Sequence, residues 1–215
     1  INTYLPNVDY CSFRFVNKYT NIISVTRNVL EPIEIIEDEG LMVTVVHNGG
    51  YGYSATSDLT KSGIFTATEK AKQWAEYSSG KLIHTPKPPD SSIDNGKYFT
   101  HEKDGWSKES NKDKVDYLIE INKSLKSKPT ISNWGASFRY NKLETLFTDT
   151  NGSKFRQNIS YILPQLIACA EYKKQIQTRT FGGHAHARQT GYNFLNESDL
   201  INQAKQIAND AVELS

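Results

Sequence analysis

Cysteine is nearly missing from this 215-residue sequence: Cys11 and Cys169 are the only two, so no disulfide framework can be expected to hold the fold. Each sits in an alternating apolar run, where a small buried thiol is the ordinary reading, and a reducing, cytoplasmic compartment follows as the expectation. Charge of one sign is also missing. Lys and Arg number 25 against 24 Asp and Glu, far from the basic excess of a nucleic-acid binder. No apolar run approaches the ~20 residues that span a bilayer, so neither nucleic acid nor membrane is an expected partner. A glycine-rich phosphate loop and a G-x-S-x-G nucleophile turn are absent too, which leaves nucleotide binding and serine hydrolysis without support. The chain opens at Ile1 with no initiator methionine, as a part of a longer protein would.

What is present is alternation. From Cys11 to Thr56 the stretches CSFRFV, NIISVT, PIEIIE, LMVTVV and YGYSAT have a period near two and predict five short strands. Asn48-Gly49-Gly50 predicts a tight hairpin between the last two. After Thr60, a candidate N-cap, residues Ile64, Ala67, Ala71, Trp74 and Ala75 recur at helical spacing and predict a helix from about Lys61 to Tyr77. The stretch from Ser78 to Ser107 is rich in Pro, Ser, Gly and Asp and reads as a connector. A second helix is expected over roughly Lys108–Lys126, with Val115, Leu118, Ile119 and Leu125 on one face. Strands then return, with a turn at Asn151-Gly152 and an edge or break at Pro164, and a closing helix capped by Ser198 carries Leu200, Ala204, Ile207, Ala208, Ala211 and Val212. These patterns predict an α+β protein of two sub-domains, each a mostly antiparallel sheet with covering helices. The expected division is 1–79, a connector over 80–107, and 108–215.

Candidate chemistry is sparse. HEKDGW at His101 begins like a zinc-peptidase helix, but Gly105 stands where the second histidine belongs, so His101 and Glu102 read as an exposed pair. His84 carries no signal. In RTFGGHAHARQTGY, Arg179–Tyr192, the imidazoles of His184 and His186 are two residues apart and could face one ion, or could belong to a polar loop.

Asp9-Tyr10, Asp38-Glu39-Gly40, Gly49 to Tyr53 and Asp58-Leu59-Thr60, in that order, resemble the first domain of the TldD/PmbA family of metallopeptidases. Gly40-Leu41-Met42-Val43-Thr44 departs mildly from the family's Gly-Val-x-Val-Arg. TDTNGSKFRQNIS, RTFGGHAHARQTGYNFL and QAKQIANDAVELS are similar to pieces of its second domain, and the glycine-rich stretch favours the TldD branch. The resemblance implies a parent enzyme hydrolysing unfolded or modified peptides with zinc held by an H-E-x-x-x-H helix beyond Ser215, so that no catalytic residue, metal ligand or bound cofactor is expected in this chain. It implies a homo- or heterodimer with a family subunit. The alternative is a PmbA-like subunit that binds or presents peptide without chemistry. Gly182, Gly183, His184, His186 and Arg188 are the expected peptide-contacting residues, as the wall of a cleft whose glycines let a backbone approach. Read as a loop, the stretch should accept valines at 182 and 183 without loss of fold.

Overall fold

The computed structural model describes residues 7–87, 95–101 and 105–215. The fold is α+β, and the described residues form eight strands and four α-helices in the order β1 (Tyr10–Thr26), β2 (Val29–Leu30), β3 (Glu34–His47), β4 (Gly50–Thr56), α1 (Lys61–Ser78), β5 (Asn95–Phe99), α2 (Asn111–Leu125), β6 (Ile131–Asp149), β7 (Lys154–Tyr172), β8 (Gln175–Gly182), α3 (Asn193–Glu197) and α4 (Leu200–Glu213). The chain divides into two compact units. Unit 1 comprises residues 1–18, 37–99 and 143–158, and unit 2 comprises 19–36, 100–142 and 159–215. The segments 1–79 and 108–215 are therefore each shared between both units.

The expected strands are longer than their patterns. CSFRFV and NIISVT are one strand, β1, and PIEIIE and LMVTVV are one strand, β3, with Gly40 inside it. No turn interrupts either pair because the alternation simply continues through the polar residues between them.

In unit 1 the order is β4-β3-β1-β6-β7-β5. β3 and β4 are antiparallel from Leu41↔Thr56 to His47↔Gly50, closed by Asn48 and Gly49, both at positive φ (49° and 72°), as the expected two-residue hairpin needs. β5 pairs parallel to β7, Asn95↔Lys154 to Phe99↔Asn158. Helix α1 starts where expected. Thr60 caps it by accepting from the Gly63 amide, while the Thr60 hydroxyl donates to Asp58 at 2.6 Å. Those bonds to the Thr60 hydroxyl and amide hold the Asp58 carboxyl below its usual range. The helix lies close on β4. A Cβ on Gly50 would stand 1.9 Å from the Ala75 carbonyl oxygen, and one on Gly52 1.8 Å from that of Ala71. The YGY stretch is thus glycine-bearing so that a helix backbone can touch it, and Ala67, Ala71 and Ala75 complete the seam over Cys11, Phe13, Leu41, Val43 and Val45.

In unit 2, β2 pairs with β1 at Val25↔Leu30 and β8 with β7 from Gln165↔Gly182 to Tyr172↔Gln175, both antiparallel. The core joins Ile23 and Val25 of β1, Phe138 of β6 and Ile162 and Leu166 of β7 to Leu118, Ile121 and Leu125 of α2 and Ala204, Ile207 and Ala211 of α4. The face of α2 turns slightly from the expected one. Lys114, Leu118, Ile121, Asn122 and Leu125 are buried, whereas Val115 and Ile119 only flank the core. Ser198 does not cap α4. Its hydroxyl donates to the Phe194 carbonyl of α3, and Asp199, at positive φ, precedes α4 without a side-chain cap.

The expected connector is not featureless. It contains β5 and the short 3-10 turn Trp106–Lys108, whose Trp106 is buried, stacks on Tyr140 at 5.4 Å and donates its indole N–H to Asn21 Oδ1 at 2.9 Å. Lys114 lies 4.3 Å over the same indole and donates to the Glu109 carbonyl, and burial pushes its pKa down against the pull of Glu109 and Asp113. Glu102 lies outside the described residues, as do 88–94 within the same connector. Among the described residues no helix is long and apolar enough to cross a membrane.

Candidate functional site

The Arg179–Tyr192 stretch is not a loop throughout. Its first residues complete β8, and Gly182 is that strand's last member, paired with Gln165. Gly182 has φ 97° and ψ −136°, a conformation open essentially to glycine, and a Cβ there would stand 2.0 Å from the Pro164 carbonyl oxygen. Pro164 explains why the chain turns here. It lacks the N–H that would extend the β7–β8 ladder, so regular pairing stops at Gln165 and resumes only as the single bridge Ile162↔Arg188. Of the edge or break expected at Pro164, the structure has the edge: β7 runs through it unbroken and the ladder on one side ends. Valine at 182 would drive side-chain atoms into that backbone, so the expectation that a valine pair leaves the fold intact is wrong for Gly182. At Gly183, φ is 69° and the space around a Cβ is open.

Residues Gly183–His186 form a 3-10 turn, which separates the two histidines. His186 folds back: its ring lies 4.4 Å from that of Phe181, and its Nδ1 is 3.3 Å from the Gly182 carbonyl oxygen, to which the Nδ1–H tautomer donates. Arg188 is fixed by main-chain bonds to Ile162 at 3.0 and 3.1 Å, and its guanidinium donates to the Ala187 carbonyl. His184 is exposed and, with Gly183, lines a cavity of about 480 Å³. The other lining residues come from the strand positions that alternate with the core of unit 2: Ile22 and Ser24 of β1, Ser137 and Arg139 of β6, Leu163 and Gln165 of β7, together with Glu34 of β3.

Two of the five expected residues, Gly183 and His184, thus meet at one site; Gly182, His186 and Arg188 support the turn beside it. Arg139, Gln165, Ser24, Ser137 and Glu34 were not anticipated. Only the outward phase of their strands could have pointed to them. The cavity offers one guanidinium, one carboxylate, one amide and two hydroxyls, groups that together match the donors and acceptors of an extended main chain. Among the described residues no three His, Cys, Asp or Glu side chains come together as a metal site. The donor set here does not fit zinc, and no chemical step is assigned through it.

Residues 11–75 match the family model described as PmbA/TldA metallopeptidase domain 1. That match, over residues 11–75, makes this part of the chain similar to the first domain of the PmbA/TldD metallopeptidase family. No curated protein matches its sequence. In fold it is similar to a candidate modulator of a DNA gyrase from Thermotoga maritima, at 12% identity and TM-score 0.68, over 94% of this chain and 44% of that one. A candidate modulator of DNA gyrase from Bacteroides thetaiotaomicron gives 12% and 0.68 over 96% and 45%. TldE from Thermococcus kodakarensis gives 15% and 0.63 over 96% and 44%. The chain spans under half the length of each of these structures.

Proposed function

We propose that this chain is the N-terminal, non-catalytic part of a TldD-like zinc metallopeptidase acting on unfolded or modified peptides, and that the polar cavity at the end of β8 receives an extended stretch of substrate. The observation that supports this most is the meeting of Gly183 and His184 with Arg139, Gln165 and Glu34 in one cavity. Arg139 and Gln165 donate to peptide carbonyls, Glu34 accepts from amides, and none of these bonds depends on substrate side chains. A cavity of this size is within the range of about 300–1,000 Å³ typical of ligand sites. Zinc belongs, in this reading, to the remainder of the parent protein, as does assembly with an identical or related family subunit.

The test is peptide binding by fluorescence anisotropy with a labelled, unstructured peptide, followed by cleavage assays on the parent protein. The double variant R139A/Q165A should bind at least tenfold more weakly with its fold retained, and His184→Ala should lose less. Unchanged affinity in the double variant removes the cavity from the proposal. Binding by the parent without zinc-dependent cleavage would replace the peptidase with a peptide-presenting subunit.

A further inference from the structure

Unit 1 contains a second cavity that the peptide reading does not use. Among its described residues α1 is the one helix, and α1 packs on β4. Phe13 and Leu41 belong to the core under that helix and also to the floor of a cavity of about 580 Å³. The cavity continues beyond the core along β6, β7 and β5. Leu146, Phe147 and Phe155 form its apolar wall, with the two phenyl rings 6.0 Å apart and tilted by 49°. Leu146 and Phe155 are 42% and 37% exposed, large values for side chains that line a concavity. Gly96 backs the Phe155 ring, since a Cβ there would come within 3.0 Å of it.

The charged residues that line this cavity are all basic: Lys97 on β5, and Lys154 and Arg156 on β7. Lys97 is the register partner of Arg156, and Lys154 stands two residues before it, so the three cations share one stretch of the rim. Arg156 is held by Glu144 at 2.8 Å. Among the described residues no carboxylate lies within ion-pair distance of Lys97 or Lys154. A purely apolar occupant would leave these cations unused, and an inorganic anion would leave the phenyl walls wet. Removing apolar area from water and pairing one anionic head with lysine are separate, additive attractions, and only an amphipathic anion satisfies both.

We propose that this cavity binds a small amphipathic carboxylate, with an aliphatic or aromatic body against Phe13, Leu146, Phe147 and Phe155 and its head at Lys97 and Lys154. The volume suits a ligand of that size. The proposal is independent of the peptide cavity in unit 2.

Calorimetric titration of the chain with decanoate, kept below its micelle-forming concentration, tests it. Saturable one-to-one binding is expected, with acetate and decylammonium each at least tenfold weaker, one lacking the body and the other the charge. K97E/K154E should weaken decanoate at least tenfold, and its exposed substitutions leave the circular dichroism spectrum unchanged. Leu146→Trp, which fills the cavity from an exposed position, should abolish binding. Absence of saturation, equal affinity for decylammonium, or full affinity in both variants overturns the proposal. So does tighter binding of an acetylated Leu-Phe-Asp amide, which would make the occupant a peptide segment.

Discussion

The two units cover their strands in opposite ways. In unit 1 a helix meets a strand through residues with almost no side chain, Gly50 and Gly52 against the main chain at Ala71 and Ala75. In unit 2, α2 and α4 stand off at the distance set by Leu118, Ile121, Leu125 and Ile207, and aromatic residues such as Phe138 and Trp134 fill the gap. Backbone-to-backbone contact has no volume to give, whereas large side chains can exchange rotamers but leave a void when truncated. Unit 1 should therefore be intolerant of atoms added, and unit 2 of atoms removed.

The largest effect expected from this contrast is in unit 2. Phe138, fully buried, should cost about 3–5 kcal/mol when changed to alanine. Denaturant unfolding measures it, and a loss under 1 kcal/mol would mean the unit 2 core collapses freely around the gap. Next come additions. Gly52→Ala inserts a single methyl 1.8 Å from a carbonyl oxygen and should cost about 1–3 kcal/mol or more by overpacking. Unit 2 has a site of the same kind, Gly182 against Pro164, so Gly182→Ala should match it, while Gly183→Ala, with open space around the new methyl, should cost less. Should Gly52→Ala be neutral, α1 is able to lift from β4 and the contrast dissolves.

The smallest effect is alkaline. Burial pushes the Cys11 thiol in unit 1 from 9.0 up to about 12, and burial, with Glu109 adding to it, pushes Tyr192 in unit 2 from 10.0 up to about 12. Both groups bind their proton more tightly when folded, so their contribution is complete below the unfolded values and is lost as pH climbs through 9–12 for Cys11 and 10–12 for Tyr192. Cys11→Ala should flatten the part of the pH dependence that begins near 9 and leave the part beginning near 10; stability curves at stepped pH separate the two.

How much of this was legible in the sequence follows from where each signal sits. Helix α1, with Thr60 at its start, and the Asn48-Gly49 turn were readable because capping and positive φ are local demands on particular residue types. Two other two-residue turns were not. Arg27-Asn28 and Lys173-Lys174 also adopt positive φ, from 47° to 71°, yet neither pair carries glycine, and Asn28 is the one residue of the four whose type favours that conformation, a weak signal for a hairpin. Trp106 was placed in a connector because its neighbours are polar and irregular, and the partners that bury it, Tyr140 and Asn21, are remote in sequence. The same holds for the polar cavity. Gly183 and His184 were found through their composition, but Arg139, Ser24 and Gln165 each look like an ordinary outward strand residue until β1, β6 and β7 are laid side by side.

The chain passes between the units at 18/19, 36/37, 99/100, 142/143 and 158/159, and four of those passages fall inside strands β1, β3, β6 and β7. For a ribosome this means that unit 1 stays incomplete until residue 158 has emerged, by which point residues 19–36 and 100–142 of unit 2 have already been made. For a genome it means that no single recombination point can move either unit into another protein. A lineage that keeps the polar cavity of unit 2 must also keep the strands of unit 1, and the basic-rimmed cavity they carry is inherited with them.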